Sequence, residues 1–280
     1  MISLFFKMKT LFLGLALCLT FVGETLAQNT IQLKEYFKEL KQVDVTIAGQ
    51  PYTFLFDTGG GQTFVSPEVA QKIGRQPYGS ATAFRMNGEM FRYQKLDSVE
   101  IRVDNVPLFH ATVGVWDLMS ILPEGLPKVD GVISLKSFQD RIVTVDLAAS
   151  RLQIETSATL RKQQGRLTLL PSRFASGLDG SELTIFLGIP HQDRSYWFLL
   201  DTGNISEVLL SHQTASGWGL QSDTTVQRTA LNPIAIQLGR RKLVSKAAAE
   251  NIIYDGVLNY DVIRQTRMTI NFPAGQVWMH

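Results

Sequence analysis

The chain has 280 residues, with 27 Lys+Arg against 25 Asp+Glu for a formal charge of +2; 45% are hydrophobic and 19% charged. This balance excludes a disordered or collagen-like chain and leaves no electrostatic footprint for nucleic acid. The single cysteine, Cys18, excludes an internal disulfide, a Cys-based zinc finger and a CxxC redox pair.

Residues 1–27 read as a secretory signal. Lys7 and Lys9 form a basic start, Leu11–Gly23 is apolar, and Thr25 and Ala27 place small residues at a cleavage site before Gln28. The apolar run is shorter than the roughly 20 residues a membrane span needs, and no later stretch is long and apolar enough. Export follows, to a periplasm if the envelope has two membranes and to the outside otherwise. Lipid anchoring through Cys18 is the alternative, weakened by the large Leu17 before it. Leu33–Leu40 (LKEYFKEL) fits either a strand or one or two helical turns.

Period-two strands dominate the chain beyond residue 40, at 43–49, 98–103, 183–189 and 234–239. Residues 81–96 carry Asn87-Gly88 between two β-rich arms, which predicts a type I′ hairpin. The polar SATLRKQQG, 157–165, predicts a weakly structured boundary between two units, 28–160 and 161–280.

The chain also repeats itself. YTFLFDTGGGQTFVSPEVAQKIG (52–74) and YWFLLDTGNISEVLLSHQTASGWGL (196–220) share an apolar run, Asp-Thr-Gly, a polar turn, a second apolar run and a Ser. Ser66 and Pro67 suit the start of a short helix and Gly74 its exit; Ser211 and either Gly217 or Gly219 do the same in the second copy. DGVISLKSFQDRIVTVDLAASRLQI (130–154) and DGVLNYDVIRQTRMTINFPAGQVWM (255–279) form a second pair, each an Asp-Gly, two aliphatics, a short helix and a hairpin.

One Asp-Thr-Gly is weak evidence, expected by chance in about one of twenty chains this long. Two copies in matching repeats carry chemistry. Paired carboxylates that cannot both ionise share a proton; the ionised one activates a water and the protonated one donates to a carbonyl. Gly59 and Gly203 permit the tight loop, and Thr58 and Thr202 carry short hydroxyls suited to bonding across to the facing loop. The four histidines have no zinc-ligand spacing, and no GxSxG, P-loop or GxGxxG is present.

On FLFDTGGGQTFVS, FLLDTGNISEVLLS, DGVISLKSF and DGVLNYDVI the sequence resembles the pepsin/retropepsin-like aspartic peptidases, most closely their secreted bacterial members, over nearly the whole chain after residue 27. The resemblance implies a mostly β, bilobal fold with a cleft between two lobes. It matches Asp57 and Asp201 to the catalytic pair and the Asn87-Gly88 hairpin to the flap, with Tyr93 or Phe84 as its aromatic; both aromatics also fit ordinary cross-strand packing. It implies a peptide or protein substrate, no cofactor and no metal, and a monomer that completes its own dyad.

Six positions depart from the family pattern. Gly60-Gly61 and Asn204-Ile205 stand where a small hydroxyl pair follows the motif, which predicts a less acidic pH optimum. Ser134 and Asn259 stand where the family has a glycine, which predicts strain if the backbone there is left-handed. An inactive descendant that binds peptides or partner proteins in the same cleft is the alternative to an endopeptidase.

Overall fold

The computed structural model describes residues 30–280. The segment read as a signal, 1–27 with Cys18, lies outside the described residues. Among those described, no helix is long and apolar enough to cross a membrane.

The described residues form three sheets. The first belongs to the first half of the chain. From edge to edge it runs Lys34–Glu35, Lys41–Ile47, Gln50–Asp57, Gly131–Ser134, Phe64–Val65, Val106–Val115, Met90–Val103 and Tyr78–Phe84. The second belongs to the second half, in the order Ser172–Ala175, Thr184–His191, Arg194–Leu200, Gly256–Leu258, Val208–Ser211, Arg241–Glu250 and Arg228–Leu238. The third takes strands from both halves and joins them.

Burial alternates residue by residue along Lys41–Ile47, as expected for a strand with one face inward. The strands leading to the two Asp-Thr-Gly motifs are buried continuously at their ends, because they sit in mid-sheet with both faces covered.

In the joining sheet the second repeat pairs with itself. Ile142–Asp146 runs antiparallel to Arg267–Asn271 with Thr144 opposite Thr269, and their hydroxyl oxygens lie 2.7 Å apart. Copies of one sequence meeting antiparallel about their midpoint define a local two-fold relation between the halves. One continuous core runs through both, from Val43 and Phe54 to Phe198 and Ile270.

Both repeated helices form as their caps predict. Ser66 accepts from the Val69 N–H with Pro67 opening the helix Pro67–Lys72, and Gly74 leaves it with a positive φ of 68°. Ser211 accepts from the Thr214 N–H to open His212–Gly217, and the left-handed exit is Gly219, at φ 72°, not Gly217.

Three local expectations need correction, and one open choice is decided in favour of the strand. Leu33–Leu40 is no helix: Lys34–Glu35 is a short strand followed by a turn in which Lys38 and Glu39 have positive φ. The 157–165 stretch is ordered as a helix, Ser157–Gln164. Thr156 and Thr159 close a reciprocal capping box at its start, and its Leu160 is buried with Ile142 and Trp278.

The hairpin turn at 85–89 is not type I′, which needs positive φ at both central residues. Only Gly88 is left-handed, at φ 83°, and its N–H bonds the Arg85 carbonyl at 2.9 Å. That is a type I turn closed by a glycine bulge. Finally, Ser134 (φ −97°, ψ 171°) and Asn259 (φ −98°, ψ 169°) are extended, so neither is strained. Each caps a short helix instead, Leu135–Phe138 (a 3-10 helix) and Tyr260–Arg264, accepting from the Lys136 and Val262 N–H groups.

Candidate active site

Each Asp-Thr-Gly sits where a strand ends between one antiparallel and one parallel neighbour. Gln50–Asp57 runs parallel to Gly131–Ser134, and Arg194–Leu200 runs parallel to Gly256–Leu258. The repeated Asp-Gly elements explain this registration. The Asp130 carboxylate accepts from the Thr53 N–H at 3.1 Å, and the Asp255 carboxylate from the Trp197 N–H at 2.8 Å. Gly131 and Gly256 lie against the rings of Phe54 and Phe198, where any Cβ would collide. These aspartates hold the strands that carry the site.

The two loops interlock. The Thr58 N–H donates to the Thr202 hydroxyl oxygen at 2.9 Å, and the Thr202 N–H returns the bond to Thr58 Oγ1 at 3.0 Å. The Thr58 hydroxyl donates on to the Leu200 carbonyl at 2.8 Å. Both threonines are buried. In each loop the glycine N–H turns back on its own aspartate: Gly59 to Asp57 Oδ1 and Gly203 to Asp201 Oδ1, both at 2.8 Å.

This brings Asp57 and Asp201, 144 residues apart like the threonines that follow them, face to face. A Cβ on Gly59 would collide with the Asp201 carboxyl, and one on Gly203 would lie 3.1 Å from Asp57 Oδ1. Burial raises the pKa of Asp57, and the N–H groups of Gly59 and Gly60 oppose it without cancelling it. Asp201 is raised further, well above the usual carboxylate range. Burial is the main cause and the neighbouring Asp57 charge the next, against the N–H groups of Gly203 and Asn204. The pair titrates as a unit, with Asp201 the readier to stay protonated.

The residues after each motif differ in what they touch. A Cβ on Gly60 would lie 3.3 Å from Asp57 Oδ2, so a hydroxyl there would reach the outer oxygen. The Asn204 side chain is spent within its own loop, accepting from Ser206 and donating to the Glu207 carbonyl. Gly61 is braced from the second half: its carbonyl accepts from the Leu183 N–H at 2.8 Å, and Glu182 packs against its Cα. Burial raises the pKa of Glu182.

The cleft over the dyad is about 410 Å³ and draws on both halves. Phe64, Phe91 and Trp116 form an apolar wall on one side; Leu199 and Tyr254 lie on the other. The long hairpin of Tyr78–Phe84 and Met90–Val103 covers it, and Phe84, Met86 and Asn87 line the space while Gly88 shapes the turn. Tyr93 is not at the tip. It is buried at the hairpin base, edge-on to Phe64 with centroids 4.9 Å apart and its hydroxyl 3.4 Å from Ser181. Of the two aromatics, Phe84 reaches the cleft and Tyr93 packs across strands.

Three cleft residues carry no sequence signal. Gln62 is 1% exposed; its carbonyl accepts from the Thr63 N–H, and its Nε2 has no partner among the described residues. Met86 and Tyr254 are the others. A buried amide donor free beside the dyad is suited to a substrate carbonyl or a water. Among the described residues no three His, Cys, Asp or Glu side chains group to hold a metal. His110 is buried alone, which lowers its pKa to about 4.

The aspartyl protease family model matches residues 43–135, which span the first Asp-Thr-Gly and the hairpin. No curated protein matches the chain. Among solved structures, the basic 7S globulin from soybean matches 89% of this chain and 94% of its own, with a TM-score of 0.52 at 8% identity. At that identity the likeness shows the fold: mostly β and bilobal, of the pepsin type.

Proposed function

We propose that this chain, whose residues 43–135 match the aspartyl protease family model and whose fold is of the pepsin type, is a pepsin/retropepsin-like aspartic peptidase, an exported endopeptidase that cleaves peptide bonds with a two-aspartate activated water. The family match and the fold support protease-like chemistry. The observation that carries the finer reading is the pair of facing carboxyl groups of Asp57 and Asp201, locked by reciprocal Thr58–Thr202 bonds.

The chemistry follows from the shared proton. Asp57, raised less, is the carboxylate that takes a proton from a water held between the two groups. Asp201, kept protonated by burial and by the Asp57 charge, donates to the scissile carbonyl oxygen as the water attacks carbon. The proton on Asp57 then passes to the amide nitrogen as the C–N bond breaks, while one hydroxyl of the tetrahedral intermediate returns its proton to Asp201, leaving a carboxylic acid, an amine and the dyad as it began. Gly59 and Gly203 leave room for the water, and the Gly60 and Asn204 N–H groups favour the ionised form of the carboxyl each lies beside.

The reading includes export directed by residues 1–27, lobes at 28–160 and 161–280, a peptide or protein substrate and a monomeric enzyme, because one chain supplies both carboxylates. The test is digestion of a denatured protein mixture from pH 3 to 8 by wild type, Asp57→Asn and Asp201→Asn. Each variant should lose about 10²–10⁴-fold in rate, the usual weight of a general acid or base. Activity that survives both changes would remove the dyad from the mechanism. A folded wild type that cleaves nothing would favour the peptide-binding alternative.

A further inference from the structure

The hairpin tip does not hang free over the cleft. The Ile253 N–H, from the loop before Gly256–Leu258, donates to the Met86 carbonyl at 2.9 Å. Two residues on, Gly88 lies so close that an added Cβ would sit 3.1 Å from Ile253 Cγ2. The tip backbone is therefore docked on the second half.

The side chains point the same way. Ala81, Ala83, Phe91 and Tyr93 of the hairpin pack with Phe64 and Trp116 of the first half. Met86, at the hairpin tip, leaves that group. It packs against the second-half cluster of Leu199, Leu209, Ala248 and Val257, which Phe186 and Tyr254 also join. Leu199 and Tyr254 line the cleft together with Asp57 and Asp201. Met86 thus fills apolar space beside the dyad that an extended peptide under the hairpin would need for a side chain.

We propose that Met86 is a resident plug: with the cleft empty it occupies a side-chain site on the second half, and the Met86–Ile253 backbone bond latches the hairpin shut until a peptide side chain takes its place. This rests on the peptidase reading only for the nature of the incoming chain. A methionine, unbranched with three rotatable bonds, fills such a site and leaves it at little cost. The displaced space has the shape of Met86, so the site takes a long, flexible apolar side chain such as Met or Leu in preference to a β-branched or aromatic one.

Amide exchange of Ile253 tests the latch without any hydrolysis. The Ile253 amide, in an exposed loop, should be protected in wild type and exchange about tenfold faster in Met86→Ala, the scale of one hydrogen bond's net contribution. Free exchange in wild type, or equal rates in both proteins, would overturn the latch. Cleavage of a peptide library then tests the plug. Wild type should favour Met and Leu at one position flanking the cut, and Met86→Ala should raise the relative kcat/KM for Phe there about tenfold. An unchanged preference would overturn the specificity role. Absence of cleavage by wild type would count against the peptidase reading, while the exchange result would still decide the latch.

Discussion

In the first half, Val106–Val115 runs parallel to Phe64–Val65 and antiparallel to Met90–Val103; in the second, Arg241–Glu250 runs parallel to Val208–Ser211 and antiparallel to Arg228–Leu238. The frames match strand for strand up to that point. The first half then adds Tyr78–Phe84 beyond Met90–Val103, whereas Arg228–Leu238 is the last strand of its sheet. Asp57 to Gly131 spans 74 residues, against 55 from Asp201 to Gly256. The difference contributes to the hairpin over the cleft and to the loop before Gly131. A repeated frame supplies one carboxylate per half, and a single unrepeated hairpin supplies the roof. The second half supplies its dock, at Ile253.

The dyad loops differ as well, and four experiments probe how far. The largest effect is expected at Gly59. Gly59→Ala drives a methyl into the Asp201 carboxyl, whereas Gly203→Ala meets Asp57 Oδ1 at 3.1 Å. Gly59→Ala should lose about 100-fold or more in kcat/KM, the cost of misplacing reacting groups by about 1 Å, and Gly203→Ala less. Equal losses would mean the loops are more symmetric than their contacts.

Thr58→Val is next. It removes the bond to the Leu200 carbonyl and the acceptor for the Thr202 N–H, while Thr202→Val removes only the acceptor for the Thr58 N–H. Denaturant unfolding should show about 2–3 kcal/mol lost for Thr58→Val and about 1 for Thr202→Val.

The third effect concerns pH. Asp201 binds its proton more tightly folded than unfolded, so the folded state holds more protons than the unfolded one as pH rises past the ordinary carboxylate value of about 4. Stability should therefore fall as pH climbs from there through the raised value of Asp201. Asp201→Asn should flatten that fall more than Asp57→Asn does, measured as Tm against pH. A wild-type Tm that rises over this window would contradict the assigned directions.

The smallest effect is Gly60→Ser. A hydroxyl there reaches Asp57 Oδ2 and favours its ionised form. The acid limb of kcat/KM should move down by up to about one pH unit. In wild type that limb should lie above the ordinary carboxylate range, because burial outweighs the backbone N–H groups on Asp57. Activity rises as Asp57 ionises and falls as Asp201 loses its proton.

The sequence made the dyad legible because its signals are local: an Asp-Thr-Gly after an apolar strand, twice, and a Ser that caps the next helix. The joining sheet was not legible. Thr144 meets Thr269 across 125 residues, and neither strand's pattern names its partner. The helix at 157–164 hides because its capping box uses Thr159 where a Glu or Gln is the recognised signal, and its exposed face is polar. Ser134 and Asn259 read as flawed glycines only while their backbone was unknown. In extended geometry they are helix caps. Gln62 and Met86 have no pattern at all; burial beside the dyad marks Gln62, and packing on the second-half apolar cluster marks Met86.

If the paired carboxylates stabilise a tetrahedral intermediate, they should hold a mimic of it more tightly than the parent peptide. The measurement is the affinity of a peptide whose scissile bond is replaced by a hydroxyl-bearing tetrahedral carbon. Binding should be about 100-fold tighter or more for the hydroxyl peptide, and the gain should be lost in Asp201→Asn. Equal affinity for the two peptides, unchanged in that variant, would contradict that stabilisation.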